Sequence, residues 1–200
     1  MKSKKPFLKK LKIGCLGALG IFLLLIIIAI ASDDQEEQES KTQKVPFSQQ
    51  EITEQTIKET LKDLSGIMVE IDNITEIKIN DYAPTTEIPD DKIIDVYYKL
   101  QNTSNEEWSI KTAVYTAIKV MESLFKNPKV VEVAMWQQEN FTDQYGEKST
   151  DLSVRILMEK ETADKIQDWK VIDNRAWNDY NSFFDLAELQ YVHPAIRRGL

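Results

Sequence analysis

The sequence predicts an α+β domain, exported from the cell and preceded by one N-terminal transmembrane helix. Two observations carry this prediction: an uncharged apolar run near the N-terminus, and a remainder in which strand-like and helix-like patterns alternate. The only cysteine is Cys15, so no disulfide within the chain can stabilise the domain. An ordinary hydrophobic core must therefore do so, and the chain is long enough to form one.

The apolar run extends from Ile13 to Ala31 and contains no charged residue. Its 19 residues would form a helix of about 28 Å, which matches a hydrocarbon core of about 30 Å. Residues 1–12 carry six lysines and no acid, whereas residues 32–46 are acidic at their start. Because positive charge beside a first membrane helix stays in the cytoplasm, we expect the N-terminus inside and residues 32–200 outside. The lipid bilayer is thus a predicted partner, through Ile13 to Ala31.

A cleaved signal peptide is the alternative interpretation of the same run. Ala29, Ile30 and Ala31 precede Ser32 in the small-x-small pattern that signal peptidases favour. The run, however, is longer than the usual signal core of about 7–15 residues, which favours an uncleaved anchor. Cleavage after Ala31 would make the protein secreted, and either interpretation places residues 47–200 outside the cell.

The opening KKPFLKK, the Ile/Leu-rich helix and the acidic linker after it resemble the anchors on many small surface proteins of Gram-positive bacteria. The resemblance covers about the first forty residues and names no function. It implies a location in the cell membrane, with the folded domain displayed at the envelope.

Charge is distributed unevenly along the chain. The net charge is −8, and removing the six lysines of residues 1–12 leaves −14 on the remainder. Such an acidic domain argues against nucleic-acid binding, because phosphates require clusters of Lys and Arg. Residues 32–46 are polar and acidic, so we expect an extended, disordered stalk between the membrane and the domain.

The folded domain is predicted to begin at Phe47 with a helix. Ser48 and Glu51 have the spacing of a capping box, and Phe47 and Ile52 have that of a hydrophobic staple. Apolar residues then recur at helical spacing until Gly66, which is a natural helix end.

Two strands and a long helix are predicted next. Apolar residues between Ile67 and Ile79 alternate with polar ones, and Ile93 to Leu100 is rich in β-branched and aromatic residues. The helix is expected to begin at the capping pair Ser104 and Glu107 and to end at Asn127-Pro128. Its apolar stripe is predicted to lie in the core: Ala113, Val114, Ala117, Ile118, Met121, Leu124 and Phe125.

A hairpin and two helices complete the predicted domain. The hairpin strands are Val130 to Trp136 and Leu152 to Met158, with a turn at Asp143 to Gly146. The apolar residues of the second strand are expected to share one face: Leu152, Val154, Ile156 and Met158. Helices at Thr162 to Trp169 and Asp173 to Gln190 give the order α-β-β-α-β-β-α-α. This order predicts an antiparallel sheet with helices packed on one face.

The chain lacks the residues that common catalytic sites require. The only histidine is His193, and Cys15 lies in the apolar run, which excludes Cys/His nucleophiles and His/Cys zinc sites. No glycine-rich phosphate loop or dinucleotide fingerprint occurs. We interpret His193 as a surface or packing residue and Asp90-Asp91 as a solvated turn. The sequence therefore predicts a non-enzyme with no catalytic, cofactor-binding or metal-binding residue and no cofactor.

Seven aromatic residues could form a platform for a peptide or a glycan: Trp108, Trp136, Trp169, Trp177, Tyr97, Tyr98 and Tyr145. Most of them are expected to lie in the core. Trp136, which precedes two glutamines, and Tyr145, near the predicted turn, are expected to be the least buried.

The leading functional hypothesis is a non-catalytic interaction or accessory module, anchored in the membrane and acting at the cell envelope. It depends on the anchor, the stalk and the absence of catalytic motifs. One alternative is an exported hydrolase with Asp/Glu acid–base chemistry, although the sequence selects no carboxylate pair. Another is a subunit of a membrane secretion or transfer complex. The expected partner is a protein or another envelope component.

Overall fold

The computed structural model of the chain describes residues 45–64, 71–82, 90–101 and 105–197. All of these belong to one compact unit, Lys44–Leu200. The predicted segments 1–12 and 13–31, and residues 32–44 of the predicted stalk, lie outside the described residues. Within the described ranges, no helix combines the length and the apolar character needed to cross a bilayer.

The first helix, α1 (Glu54–Lys62), begins later than predicted. Thr53 is its N-cap: the Thr53 hydroxyl accepts from the Thr56 backbone N–H at 3.1 Å, and the Thr56 hydroxyl accepts from the Thr53 N–H at 3.0 Å. The predicted start at Ser48 is wrong, because Phe47–Gln49 forms a 3₁₀ turn instead. A reciprocal cap with both bonds made therefore fixes the helix start at Thr53.

Five strands form one mixed sheet in the spatial order β1-β2-β3-β4-β5. The strands are β1 (Ile74–Asp81), β2 (Lys92–Lys99), β3 (Val130–Thr142), β4 (Lys148–Glu159) and β5 (Leu189–Val192). The predicted α+β class is confirmed. The predicted antiparallel sheet is wrong, because β2 and β3 pair in parallel while the other three pairs are antiparallel.

The long helix α2 (Glu106–Leu124) explains the parallel pair. Its 19 residues span about 28 Å, close to the roughly 26 Å length of an eight-residue strand. The helix therefore returns the chain along the whole sheet, so β3 begins at the same end as β2. Asn105 caps α2 by accepting from the Trp108 N–H at 2.8 Å, and the predicted cap Ser104 lies outside the described residues.

The predicted apolar stripe of α2 is confirmed as core. All seven of its residues are buried: Ala113, Val114, Ala117, Ile118, Met121, Leu124 and Phe125. α2 packs against β3 and β4 on one side and against α4 (Trp169–Asn178) on another, which accounts for burial around much of its circumference.

The C-terminal region contains shorter helices than predicted. A single turn, α3 (Lys160–Ala163), replaces the predicted helix Thr162 to Trp169. The predicted helix Asp173 to Gln190 divides because Asp179 is extended, with φ −149° and ψ 97°, which ends α4. α5 (Asn181–Phe184) follows, and β5 is a strand that the sequence prediction missed.

The two faces of the sheet differ in what they contact. The inner face supplies the core with alternate strand residues: Ile77, Ile94, Val96, Tyr98, Val133, Met135, Val154, Ile156 and Met158. The outer face includes the intervening residues: Glu76, Lys78, Asn80, Ile93, Asp95, Tyr97, Lys99, Glu132, Ala134, Trp136, Gln138, Arg155, Leu157, Glu159, Leu189 and Tyr191. Among the described residues, the apolar members of the outer face do not join the core cluster.

An irregularity in the β3–β4 ladder alters the predicted faces of β4. The register shifts between Gln137 and Gln138, so Val154 pairs with Gln137 and Leu152 pairs with Gln138. Leu152 therefore lies on the outer face, and its predicted place beside Val154 is wrong. A bulge changes which face every residue beyond it occupies.

Candidate functional site

The outer face carries a stacked aromatic pair at its centre. Tyr97 on β2 and Trp136 on β3 are register partners, and their rings are nearly parallel, with centroids 5.1 Å apart and an interplanar angle of 15°. Neighbouring strands lie about 4.8 Å apart, so rings that stand upright at paired positions meet face to face. Each ring face between the two strands is therefore covered by the other ring.

Two cations extend this pair in both directions. The Arg155 guanidinium on β4 lies 3.8 Å from the centroid of the Trp136 ring, and Lys78 Nζ on β1 lies 4.5 Å from the centroid of Tyr97. We call these four residues the aromatic–cation array. It crosses four strands without interruption, and each contact has the geometry of a stack or a cation–π interaction.

Acidic and amide groups hold the array in place. Trp136 Nε1 donates to Asp95 Oδ1 at 2.8 Å, and Asn80 Nδ2 donates to Asp95 Oδ2 at 3.3 Å. Lys78 forms an ion pair with Glu76 at 3.3 Å, and the pKa of Lys78 is raised, chiefly by its hydrogen bond with Glu76. The indole and the ammonium group are thus oriented before any ligand arrives.

The outer face is polarised along the strand direction. Glu132 and Glu159 are register partners at one end, and Glu188 Oε2 accepts from the Glu159 backbone N–H at 2.9 Å. Burial raises the pKa of Glu132, and the nearby charges of Glu159 and Asp95 raise it further. This end is therefore acidic, and the charge of Arg155 offsets only part of the increase in the pKa of Glu132.

The opposite end of the outer face is basic. Lys99 is the last residue of β2, and its Nζ donates to Thr150 Oγ1 at 3.2 Å. Arg155, in the array, lies between Lys99 and the acidic end. The outer face is therefore negative at one end and positive at the other. A partner must carry the opposite charge at each end.

Apolar side chains occupy the remaining outer positions. Leu189 and Tyr191, on β5, are 38% and 36% exposed. Leu157 pairs with Leu189 across β4 and β5, and Ala134, beside Leu157, is fully buried among larger neighbours. The outer face thus combines aromatic, aliphatic and charged groups in a single layer.

The predicted aromatic platform is only partly assembled. Tyr97 and Trp136 meet on the outer face, whereas Tyr98 lies in the core and Trp169 packs against it. The other three are exposed elsewhere: Trp108, Trp177 and Tyr145. Tyr145 is 85% exposed at the β3–β4 turn, as predicted, whereas Trp136 is only partly exposed because its ring faces are covered.

Sequence reasoning missed Lys78, Asp95 and Arg155 as parts of the surface. Each is an ordinary charged residue in a strand with alternating pattern, and no local motif marks it. Their significance comes from cross-strand register, which a single sequence does not specify. The alternation of β2 and β4 indicated only which residues face the same side.

A second concave region lies near the start of the described chain. The cleft has a volume of about 650 Å³ and is lined by Ser48–Ile52, Ile79, Asp81, Asp90, Lys92 and Asn127–Lys129. Two of the three carboxylates in this lining are ion-paired: Asp81 contacts Lys92, and Asp90 lies 3.6 Å from Lys129. Asp90 is exposed, but Asp91 is buried, so the predicted solvated turn is wrong for Asp91.

Buried polar side chains join β3 to the start of α2. Gln137 Nε2 donates to Ser109 Oγ at 3.0 Å and to Glu139 Oε1 at 2.8 Å, and Tyr98 Oη donates to Gln137 Oε1 at 3.2 Å. Ser109 Oγ also donates to Glu139. All four residues are buried, and burial raises the pKa of Tyr98. This network fixes the position of α2 on the sheet. Its side chains are buried, so a substrate cannot reach them.

His193 has a packing role, in line with its interpretation from the sequence. Its ring stacks on Phe141 with centroids 4.3 Å apart, and its Nδ1 accepts from the Ala195 N–H at 3.1 Å. That bond lies at the start of α6 (Pro194–Arg197).

Across the described ranges, no group of three or more His, Cys, Asp or Glu side chains is arranged to hold a metal ion. Comparison of the chain with protein-family models, curated proteins and solved structures finds no match.

Proposed function

We propose that this chain is a non-catalytic, membrane-anchored binding module whose exported domain holds a protein partner through the outer face of its sheet. The observation that carries the proposal is the aromatic–cation array, Lys78–Tyr97–Trp136–Arg155, at the centre of that face. Trp, Tyr and Arg are the residues most enriched where interfaces bind most tightly. The array concentrates three of them in one contiguous patch.

Preorganisation of the array supports the same proposal. Binding costs free energy when flexible side chains are immobilised, about 0.5–1.5 kcal/mol for each. Trp136 is already held by its bond to Asp95, and Arg155 by its contact with the Trp136 ring. These side chains are therefore already immobilised in the folded domain, so binding a partner costs little further free energy to order them.

The surroundings of the array favour a protein partner over a nucleic acid or an anionic membrane. Glu76, Asp95, Glu132 and Glu159 share the outer face with Lys78, Lys99 and Arg155, so neither sign of charge dominates. A mixed surface with an apolar centre is typical of protein interfaces, whereas phosphate-rich partners require excess positive charge.

The binding proposal is tested by cross-linking on intact cells that express the full-length chain with a C-terminal tag. Wild type is compared with Trp136→Ala and with Trp177→Ala, which removes an exposed tryptophan (52% exposed) from α4. We expect the cross-linked adduct to be lost in the Trp136 variant and retained in the Trp177 variant. Equal adduct yield in all three chains would contradict the proposal.

The location is tested by fractionation, external protease and the mass of the mature chain. An uncleaved anchor predicts a full-length, membrane-bound protein whose tag is removed by external protease. A released chain that begins at Ser32 would instead show cleavage after Ala31 and a secreted protein.

A further inference from the structure

We infer that the partner held by the outer face is a second copy of this chain, packed face to face about a two-fold axis perpendicular to the strands. The inference rests on the proposed function, since it takes the outer face to be the binding surface.

Two adjacent rows cross the centre of the outer face. The first row follows the strand register from β1 to β5: Lys78, Asp95, Ala134, Leu157 and Leu189. The second row lies two residues further along every strand: Glu76, Tyr97, Trp136, Arg155 and Tyr191. A two-fold axis that runs between these rows, in the plane between two packed sheets, places the first row of one copy over the second row of the other.

Size is complementary across this axis. Trp136, the largest side chain of the outer face, lies opposite the position of Ala134 in the second copy. Neighbouring side chains cover Ala134 completely, so the edge of the Trp136 ring packs on those neighbours. Because the interface is two-fold symmetric, the same contact forms twice. Leu189 similarly lies opposite Tyr191, so the exposed apolar residues of β5 cover one another.

Charge is complementary in the same arrangement. Lys78 lies opposite Glu76 of the second copy, and Tyr97 lies opposite Asp95, to which its hydroxyl can donate. Towards the ends of β3, Glu132 lies opposite Gln138 of the second copy, whose amide can donate to it. Each of these contacts pairs a donor or a cation with a carboxylate.

A face-to-face two-fold arrangement whose axis is parallel to the strands lacks this complementarity. In that arrangement each row of one copy lies opposite the same row of the second copy. Trp136 would then meet Trp136 of the second copy, and Glu132 would lie among the acids of the second acidic row. Like charges in a desolvated interface are unfavourable, so the perpendicular axis is preferred.

The area is adequate for a stable pair. Five strands give a width of about 24 Å and eight residues a length of about 26 Å, hence a flat footprint of about 600 Å². Because side chains protrude from the sheet, the accessible surface area of this face is larger than the flat footprint. The result approaches the roughly 800 Å² per partner of a standard specific interface.

The axis is tested with the full-length chain in membranes, after Cys15→Ala removes the only native cysteine. One tagged copy carries Gln138→Cys and a second, with a different tag, carries Glu132→Cys. The perpendicular axis places these positions opposite each other on β3, about 10 Å apart, the usual spacing of packed sheets. We expect a bismaleimide of that reach to join the two copies when they are co-expressed.

Three controls make the result specific. Either cysteine variant alone should give no cross-linked dimer, because same-residue positions are separated by six residues along β3, about 20 Å. Adding Trp136→Ala should abolish the product. Lys78→Glu or Glu76→Lys should each reduce it roughly two- to fivefold, and the double exchange should restore it. Because Lys78 and Glu76 also form an ion pair within one copy, a membrane-bound yield equal to that of the wild type must first show that each single variant folds.

Two results would overturn the inference. Cross-linking of Gln138→Cys to itself would show the wrong axis, and no cross-linked dimer in any variant would show that a second copy is not the partner. If the chain yields no dimer while Trp136→Ala still loses an adduct to a different protein, the proposed function survives without this inference. If neither a dimer nor an adduct responds to Trp136→Ala, both fail.

Discussion

Replacing Gln137 by methionine should destabilise the folded domain substantially, although the two side chains have similar volumes. The Gln137 amide takes part in four hydrogen bonds, three as donor and one as acceptor. The side chain is fully buried, and so is its partner Tyr98. Methionine would fill the space but supply none of these bonds.

The magnitude follows from the groups left behind. The Tyr98 hydroxyl would lose its acceptor, which costs about 1–3 kcal/mol for a buried polar group. Glu139 would lose one of its donors, and a hydrogen bond to a charged group contributes about 1.5–3 kcal/mol. The expected loss is therefore about 3 kcal/mol, or a fall in Tm of roughly 6–12 °C for a domain of this size.

Thermal and urea unfolding of residues 45–200, followed by tryptophan fluorescence at low protein concentration, measure this loss. The matched control is Gln138→Met, because Gln138 is the next residue of β3 and lies on the outer face. The control should change the free energy of unfolding by less than about 0.5 kcal/mol. If Gln137→Met changes it equally little, the network does not stabilise the packing of α2 on the sheet as argued.

Three further predictions concern single side chains. Lys119→Met should lower the free energy of unfolding by about 1–3 kcal/mol, because it leaves the half-buried Asp173 without the ammonium group 2.6 Å away; Lys165→Met, at an exposed pair, should cost less than about 0.5 kcal/mol. Gly146→Ala should lower the free energy of unfolding by about 1 kcal/mol in the same assay. The cause is the φ of +86°, which is unfavourable for an L-residue, and not a clash, since no atom lies within 4 Å of the added methyl group. Glu132→Gln should raise Tm at pH 7 and leave it unchanged at pH 3: the folded protein binds this proton more tightly than the unfolded chain does, so wild-type stability falls as pH rises above the ordinary pKa of 4.5. An unchanged Tm at pH 7 would contradict that account.

Local patterns in the sequence identified much of the fold. The apolar stripe of α2 repeats at helical spacing, and the whole stripe is buried. The turn at Asp143 to Gly146 was predicted from residue type, and Asp143 Oδ1 accepts from the backbone N–H groups of Tyr145 and Glu147, each at 2.8 Å. Both features depend on neighbours along the chain, so a single sequence is sufficient to predict them.

Errors arose where a residue's partner is distant in sequence. Leu189–Val192 has four residues and follows an aromatic-rich helical pattern, so only its pairing with β4 makes it a strand. The start of α1 depended on which of two capping patterns is satisfied, and the Thr53–Thr56 pair is the one that makes both bonds. Local propensity is a weak guide when tertiary contacts select among such alternatives.

The sequence by itself determined the apolar run at Ile13 to Ala31, the acidic charge of the remainder and the presence of a single cysteine and a single histidine, because these are properties of composition and order. It also indicated which residues of a strand share a face. Only the tertiary structure decided that β2 and β3 run parallel and that Lys78, Tyr97, Trp136 and Arg155 form one array. The physical reason is register: residues on four strands meet only after α2 has returned the chain along the sheet, and a shift of one residue would move Trp136 to the opposite face.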